Sequence, residues 1–248
     1  MIKIRLITYN VPLLTGGILT GQNLIRAAEL RAVTTEFSAY QTAVMTFRDK
    51  YFPLPGDMRN ATDFWGEMAN CGAASPSGSG TETCNGDGDG VIEPPAAASQ
   101  TGERFTAWQH LANAGLIKGN YSGVAGTGGI SDSDVGDNVP ASRISNAGWA
   151  IIGIFTASSN SYYTDNVYRN FFIIGSETTN EGPINPTFSP EEAWNIDTKL
   201  DDGIPQQGKI WAVGWDTCTD AANSAVTDAN YLLTDTSNQC ALVLLNAF

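Results

Sequence analysis

Residues Gly16–Tyr51, GGILTGQNLIRAAELRAVTTEFSAYQTAVMTFRDKY, decide the fold. Leu30, Val33, Phe37, Tyr40, Val44, Phe47 and Tyr51 recur at alternating steps of three and four, which sets all seven along one face of a helix. The stretch holds no proline, its glycines (Gly16, Gly17, Gly21) lie near its start, and strong helix formers fill much of the remainder. At 1.5 Å per residue such a helix runs roughly 50 Å, whereas a compact body of some two hundred residues measures roughly 35–40 Å across. One end must project. The large-residue stripe starts only at Leu30, and the segment before it is small and apolar, with its first charge at Arg26. The projecting end is therefore the N-terminal one, and it calls for lipid or other helices as neighbours.

Outward from the helix, Pro53 and Pro55 stop it and Gly56 opens a turn. A short helix is expected within Met58–Met68, capped by Asn60 or Thr62, with Phe64 and Trp65 turned inward. Residues 72–102 are rich in Ser, Gly, Thr and Pro and read as loop. Glu103–Ala114 reads as a helix with Phe105, Trp108, Leu111 and Ala112 on its inner face and Gly115 as its stop. A second long loop covers 119–147. Apolar runs at Trp149–Phe155 and Tyr168–Ile174 read as strands buried on both faces. Ser189-Pro-Glu-Glu begins another helix with a capping box and a proline at its first position; its face is Ala193, Ile196 and Leu200, and Gly203 ends it. Lys209–Trp215 and Ala241–Leu245 are the last strands. The fold class is α+β: a long N-terminal helix whose C-terminal half covers an antiparallel sheet, with extra short helices and long loops. Residues 1–32 form the apolar segment and 33–248 the head.

Charge is unevenly shared. Residues 1–50 carry six basic and three acidic side chains, +3, which leaves seven basic and 23 acidic, −16, for the remainder. An acidic head excludes phosphate-backbone binding, which needs clustered Lys and Arg, so nucleic acid is not a partner. The four cysteines allow three pairings. Local pairing, Cys71 with Cys84 and Cys218 with Cys240, is the favoured one, and an even count in this composition points to an oxidising compartment. Neither pair has the spacing of a zinc or redox site.

The sharpest chemical motif is NGDGDGVIE at 85–93. It repeats the first half of a calcium loop, with oxygen ligands at Asn85, Asp87 and Asp89, glycine at Gly90, the carbonyl of Val91 and then Glu93. The twelfth position is Ala96, so the bidentate glutamate of a complete EF-hand is missing. The competing reading is a metal-free Gly/Asx turn. Calcium is the only cofactor these residues suggest. Asp197, Asp201 and Asp202 form a second acidic group, read as surface acids at a helix end. His110, the one histidine, lies between core positions of a helix and reads as structural. No nucleophile elbow, phosphate loop or dinucleotide motif occurs, and the chain is not expected to be an enzyme. Tyr162, Tyr163 and Tyr231 could make an aromatic patch for a sugar or an adhesin contact.

GGILTGQNLIRAAELRAV at 16–33 resembles the distal part of the N-terminal helix of bacterial type IV pilin-like proteins, and FRDKYFPLPGDM at 47–58 resembles a phrase of their larger members. AWQHLANAGLI at 107–117, NIDTKLDDGIP at 195–205 and CALV at 240–243 resemble the same group, so the likeness covers 16–248 in patches. It implies a pilin or type II secretion pseudopilin: a prepilin held by its N-terminal helix in the bacterial inner membrane, then assembled with copies of itself and related pilins, by dedicated machinery, into a periplasmic or extracellular filament. The opening departs from the family. No cleavage glycine followed by an unbroken apolar run occurs, and the apolar run at 6–19 is interrupted by Asn10 and Pro12. The expectation is a misread or truncated start, or a copy not processed in the usual way; a secretory signal with Lys3 and Arg5 ahead of the apolar run is the second reading. The alternative function is a secreted calcium-dependent adhesin or carbohydrate-binding module that does not polymerise.

Overall fold

The computed structural model describes residues 11–72, 76, 80–96, 99–154, 168–223, 226–245 and 248. The opening residues 1–10 and the aromatic pair Tyr162 and Tyr163 lie outside that set. Helix α1 spans Val11–Tyr51, five residues longer at its start than the sequence reading gave. Pro12 falls in its first turn, where a missing N–H interrupts no helical bond, so the proline does not delay the helix.

Four strands follow, β1 (Ala147–Ile154), β2 (Tyr168–Ser176), β3 (Ile210–Val213) and β4 (Ala241–Leu244). They form one antiparallel sheet in the order β1-β2-β4-β3. Register places Phe172 opposite Ile151 and Leu244, and Ile174 opposite Trp149 and Leu242, so these side chains share a face. That face meets α1. Phe37 packs edge-on to Phe172 at 5.9 Å, and Tyr40 meets Trp149 at 5.7 Å and Trp108 at 5.0 Å. Edge-to-face contacts of this kind add roughly 0.5–1.5 kcal/mol each beyond the area they bury. Val33, Val44 and Phe47 are fully buried, while Leu30, Phe37, Tyr40 and Tyr51 are partly buried against the same core. Ile173 and Val243 on the opposite face are equally sealed, which is why these strands read as continuous apolar runs.

Among the described residues the head adds two single helical turns, α2 (Thr62–Trp65) and α5 (Trp215–Cys218), and two longer helices, α3 (Glu103–Asn113) and α4 (Pro190–Leu200). α4 begins with the expected box, in which Ser189 Oγ accepts the N–H of Glu192 and Glu192 Oε2 accepts the N–H of Ser189. Ala193 and Ile196 are buried, and Leu200 is half-buried.

Several expectations are corrected. The helix expected over 58–68 shrinks to the single turn α2, and Phe64 is 55% exposed instead of facing inward. Successive helical residues diverge by about 100°, and Trp65 takes the inward position against Phe47 and Tyr51. α3 is not amphipathic: Glu103, Arg104, Gln109 and His110 are buried with Phe105 and Trp108, while Ala112 is only half-buried. The strand expected to reach Trp215 ends at Val213, because Gly214 takes a left-handed conformation (φ 85°) and starts α5. Such a φ is cheap only for glycine.

Candidate functional site

Two features stand out from the packed head, the exposed end of α1 and a partly buried group of carboxylates. Arg26 ties α1 to the head. Its Nε donates to Glu192 Oε1 at 2.6 Å and its Nη2 to Glu192 Oε2 at 2.7 Å, a forked pair, while Nη2 also reaches the Thr187 carbonyl at 2.9 Å and Nη1 reaches Glu29 at 3.2 Å. The Glu192 hydrogen bonds raise the Arg26 pKa. Ahead of this fork the described side chains from 22 to 25, and those of Ile18 and Thr20, are exposed. Ile18 is 54% exposed, Leu24 67% and Ile25 63%. No helix among the described residues is long and apolar enough to cross a membrane.

The carboxylates gather where three segments meet. Asp57 follows the turn after α1, Asp87, Asp89 and Glu93 come from the 85–93 loop, and Glu103 is the first residue of α3. Carboxylate oxygens of Asp57, Asp87 and Glu103 lie within 4.8 Å of one another, as do those of Asp87, Asp89 and Glu93. Main-chain donors shape the loop around them. Glu103 Oε1 accepts the N–H of Asp87 at 2.9 Å and Oε2 that of Glu93 at 3.3 Å; Asp57 Oδ2 accepts the N–H of Gly90 at 2.9 Å. Asp87 and Asp89 each cap the N–H two residues on, the local turn chemistry of Asx residues. Asn170 closes the other side, accepting from Ile92 and donating to the Gly90 carbonyl, both at 2.9 Å. The approach is close enough that a side chain at Gly86 would meet the Gly56 carbonyl at 2.3 Å and Glu103 Oε1 at 2.6 Å, so position 86 admits only glycine.

Of the expected ligands, Asp87, Asp89 and Glu93 converge. Asn85 lines the same cleft with its Oδ1 accepting the N–H of Thr62 at 2.9 Å, and Val91 is buried with its N–H on Asp89 Oδ1. Asp57 and Glu103 were missing from the sequence reading, although Asp57 sits in the PLPGD turn and Glu103 at a helix start. Burial pushes Glu103 up to about 8, helped by the neighbouring Asp57 and Glu93 charges and opposed by its two main-chain donors. Asp57 and Glu93 also rise, again first through burial. A cleft of about 270 Å³ opens beside the group, lined by Asn85, Asp87, Glu93, Pro94, Pro95 and Glu103 among others.

No protein-family model, curated protein or solved structure matches the chain. The remaining candidates are settled by their surroundings. His110 is fully buried in α3, with Nδ1 accepting the N–H of Gly56 and Nε2 against the Thr83 hydroxyl, both at 2.9 Å. A neutral ring with one accepting and one donating nitrogen satisfies both contacts, and burial takes its pKa down to about 3. It holds the turn that carries Asp57. Tyr231 is buried rather than part of a surface patch, donating to Asp197 Oδ2 at 2.8 Å. Asp197 is itself fully buried, which corrects its reading as a surface acid; its Oδ1 takes the N–H of Gly203. Asp201 binds the N–H groups of Lys209 and Ile210, and Asp202 caps Ile204. Disulfides join Cys71 to Cys84 and Cys218 to Cys240. The first closes the loop leading into the acidic group, and the second ties α5 to the start of β4.

Proposed function

We propose that this chain is a structural subunit of a type IV pilus-like filament or of a type II secretion pseudopilus, and not an enzyme. The observation that carries the reading is the unequal burial of α1. Its second half supplies the hydrophobic cover of the sheet, and its first half leaves Ile18, Leu24 and Ile25 in solvent. Burying one such side chain contributes roughly 1.5–3 kcal/mol, and among the described residues these three stay more than half exposed. Side-by-side helices from further copies and related pilins would cover them in a filament core, after residence at the inner membrane and handling by the assembly machinery. The acidic remainder of the chain, net −16 beyond residue 50, would then face outward. A pilin-like helix-on-sheet head is part of this proposal, supported by the contacts of Phe37 and Tyr40 with Phe172 and Trp149.

The acidic centre suits a filament subunit and a secreted calcium-dependent adhesin or sugar-binding module equally. The bare helix end separates the two, since a module that stays single has no use for it. The test is a photo-reactive phenylalanine at Leu24, with the exposed head residue Leu233 as control, expressed in the native host. Adducts between Leu24 and a second copy of this chain or another pilin-like subunit are expected, with none from Leu233. Release of the chain as a free monomer, with no adduct at Leu24, would overturn the reading.

A further inference from the structure

We propose that Asp57, Asp87 and Glu103 bind a hard divalent cation, with calcium the best fit, and that this cation ties the exit of α1 to the start of α3. The inference does not depend on whether the chain polymerises. Its first support is geometric. Oxygens bound to one calcium at about 2.4 Å can stand at most about 4.8 Å apart, and one oxygen from each of these three carboxylates meets that limit.

The second support is an oxygen without a partner. Asp57 is only 3% exposed; its Oδ2 takes the N–H of Gly90, the N–H of Gly88 lies near the carboxylate, and its Oδ1 is buried with no hydrogen bond of normal geometry. An isolated carboxylate oxygen in that position costs free energy unless a proton or a cation meets it. Arg26, paired with Glu29 and Glu192, lies far from this group in the chain. Arg59 gives its Nε to the Asp87 carbonyl, and Arg104, which follows Glu103, lies over the Phe105 ring with its Nη2 beside Gly182. Glu103 is preset for the role: each of its oxygens accepts one main-chain N–H and keeps a further lone pair.

The donor set selects the metal. All ligands are oxygens, which excludes thiolate- and imidazole-seeking ions. Asp57 and Asp87 come from irregular segments and Glu103 opens α3, and Asp87 and Glu103 line an open cleft of about 270 Å³, so water can complete a loose shell of six to eight oxygens. Magnesium demands a tighter octahedron than such a set provides. The site also differs from the loop motif that first suggested calcium. Asn85 Oδ1 already accepts the N–H of Thr62, and two of the three ligands come from outside residues 85–93.

The test uses the full chain, stripped with chelator and titrated calorimetrically with calcium chloride, with magnesium chloride as a second arm and thermal melting in parallel. One calcium per chain, a higher Tm in calcium than in chelator and a weaker response to magnesium are expected. Asp87 is exposed, so Asp87→Asn keeps the fold; it and Glu103→Gln should each weaken binding by about tenfold or more, while Asp197→Asn leaves it unchanged. Neither heat nor a shift in Tm with millimolar calcium would mean that shared protons neutralise the group, and would overturn the proposal. Unweakened binding in Asp87→Asn, or loss of binding in Asp197→Asn alone, would overturn it equally.

Discussion

Glu36 on α1 accepts the indole N–H of Trp149 on β1 at 2.9 Å. The same oxygen takes the Ser142 hydroxyl at 2.7 Å, and the second oxygen takes the N–H of Arg143 at 2.9 Å. One carboxylate on the helix thereby satisfies three donors of the head. Its removal leaves a fully buried indole and a main-chain N–H unmatched. Glu36→Ala is expected to lose about 2–3 kcal/mol, and Glu36→Gln, which keeps an acceptor, about 1 kcal/mol. Urea unfolding followed by tryptophan fluorescence measures both, and equal losses would show that the acceptor is not what matters.

Phe47 stacks parallel to the His110 ring at 6.2 Å and lies 4.6 Å from Tyr51. It is fully buried, whereas Met45, two residues earlier, is largely open. Phe47→Ala should cost about 3–5 kcal/mol, and Met45→Ala should stay within about 0.5 kcal/mol of wild type. Comparable losses from the two would place the helix face wrongly.

Asp197 gives the head a pH dependence of defined sign. Burial raises its pKa to about 7 from the ordinary 3.8. Between those values the native state holds a proton that the unfolded chain has released, so this group's contribution is complete below about pH 4 and is lost as pH rises through 7. Asp197→Asn removes the effect. The stability of wild type relative to that variant should fall steadily from pH 4 to pH 8 in chelator, measured by denaturant midpoints; a difference that rises with pH would contradict the assignment.

The elements legible in the sequence were those written in local spacing. The three-four recurrence from Leu30 to Tyr51 and the Ser189-Pro190-Glu191-Glu192 cap each specify their geometry within a few turns of chain, and both appear in the fold. Phe64 turned outward because Trp65 won the contact with Phe47, a choice made by a helix far away in sequence. The acidic group was half legible for the same reason. Asp87 and Asp89 announce themselves through their glycines, but Asp57 and Glu103 reach them only through the close passage of Gly86 past Gly56. Glu36 carried no signal separating it from the other acids, since its three partners arrive from residues 142–149. Asp197 looked like a surface acid until Tyr231 came down on it across the chain.

The fork at Arg26 has a mechanical consequence. Glu192, which it grips, also caps α4, and Thr187, whose carbonyl it shares, donates its N–H to the Cys240 carbonyl at 2.8 Å. Cys240 is in turn covalently joined to Cys218. Tension applied along the shaft therefore passes through a short chain of polar links into a cross-link that shear cannot undo, instead of peeling the last strand from its neighbours. Reduction of that bond would leave the same route only as strong as its hydrogen bonds.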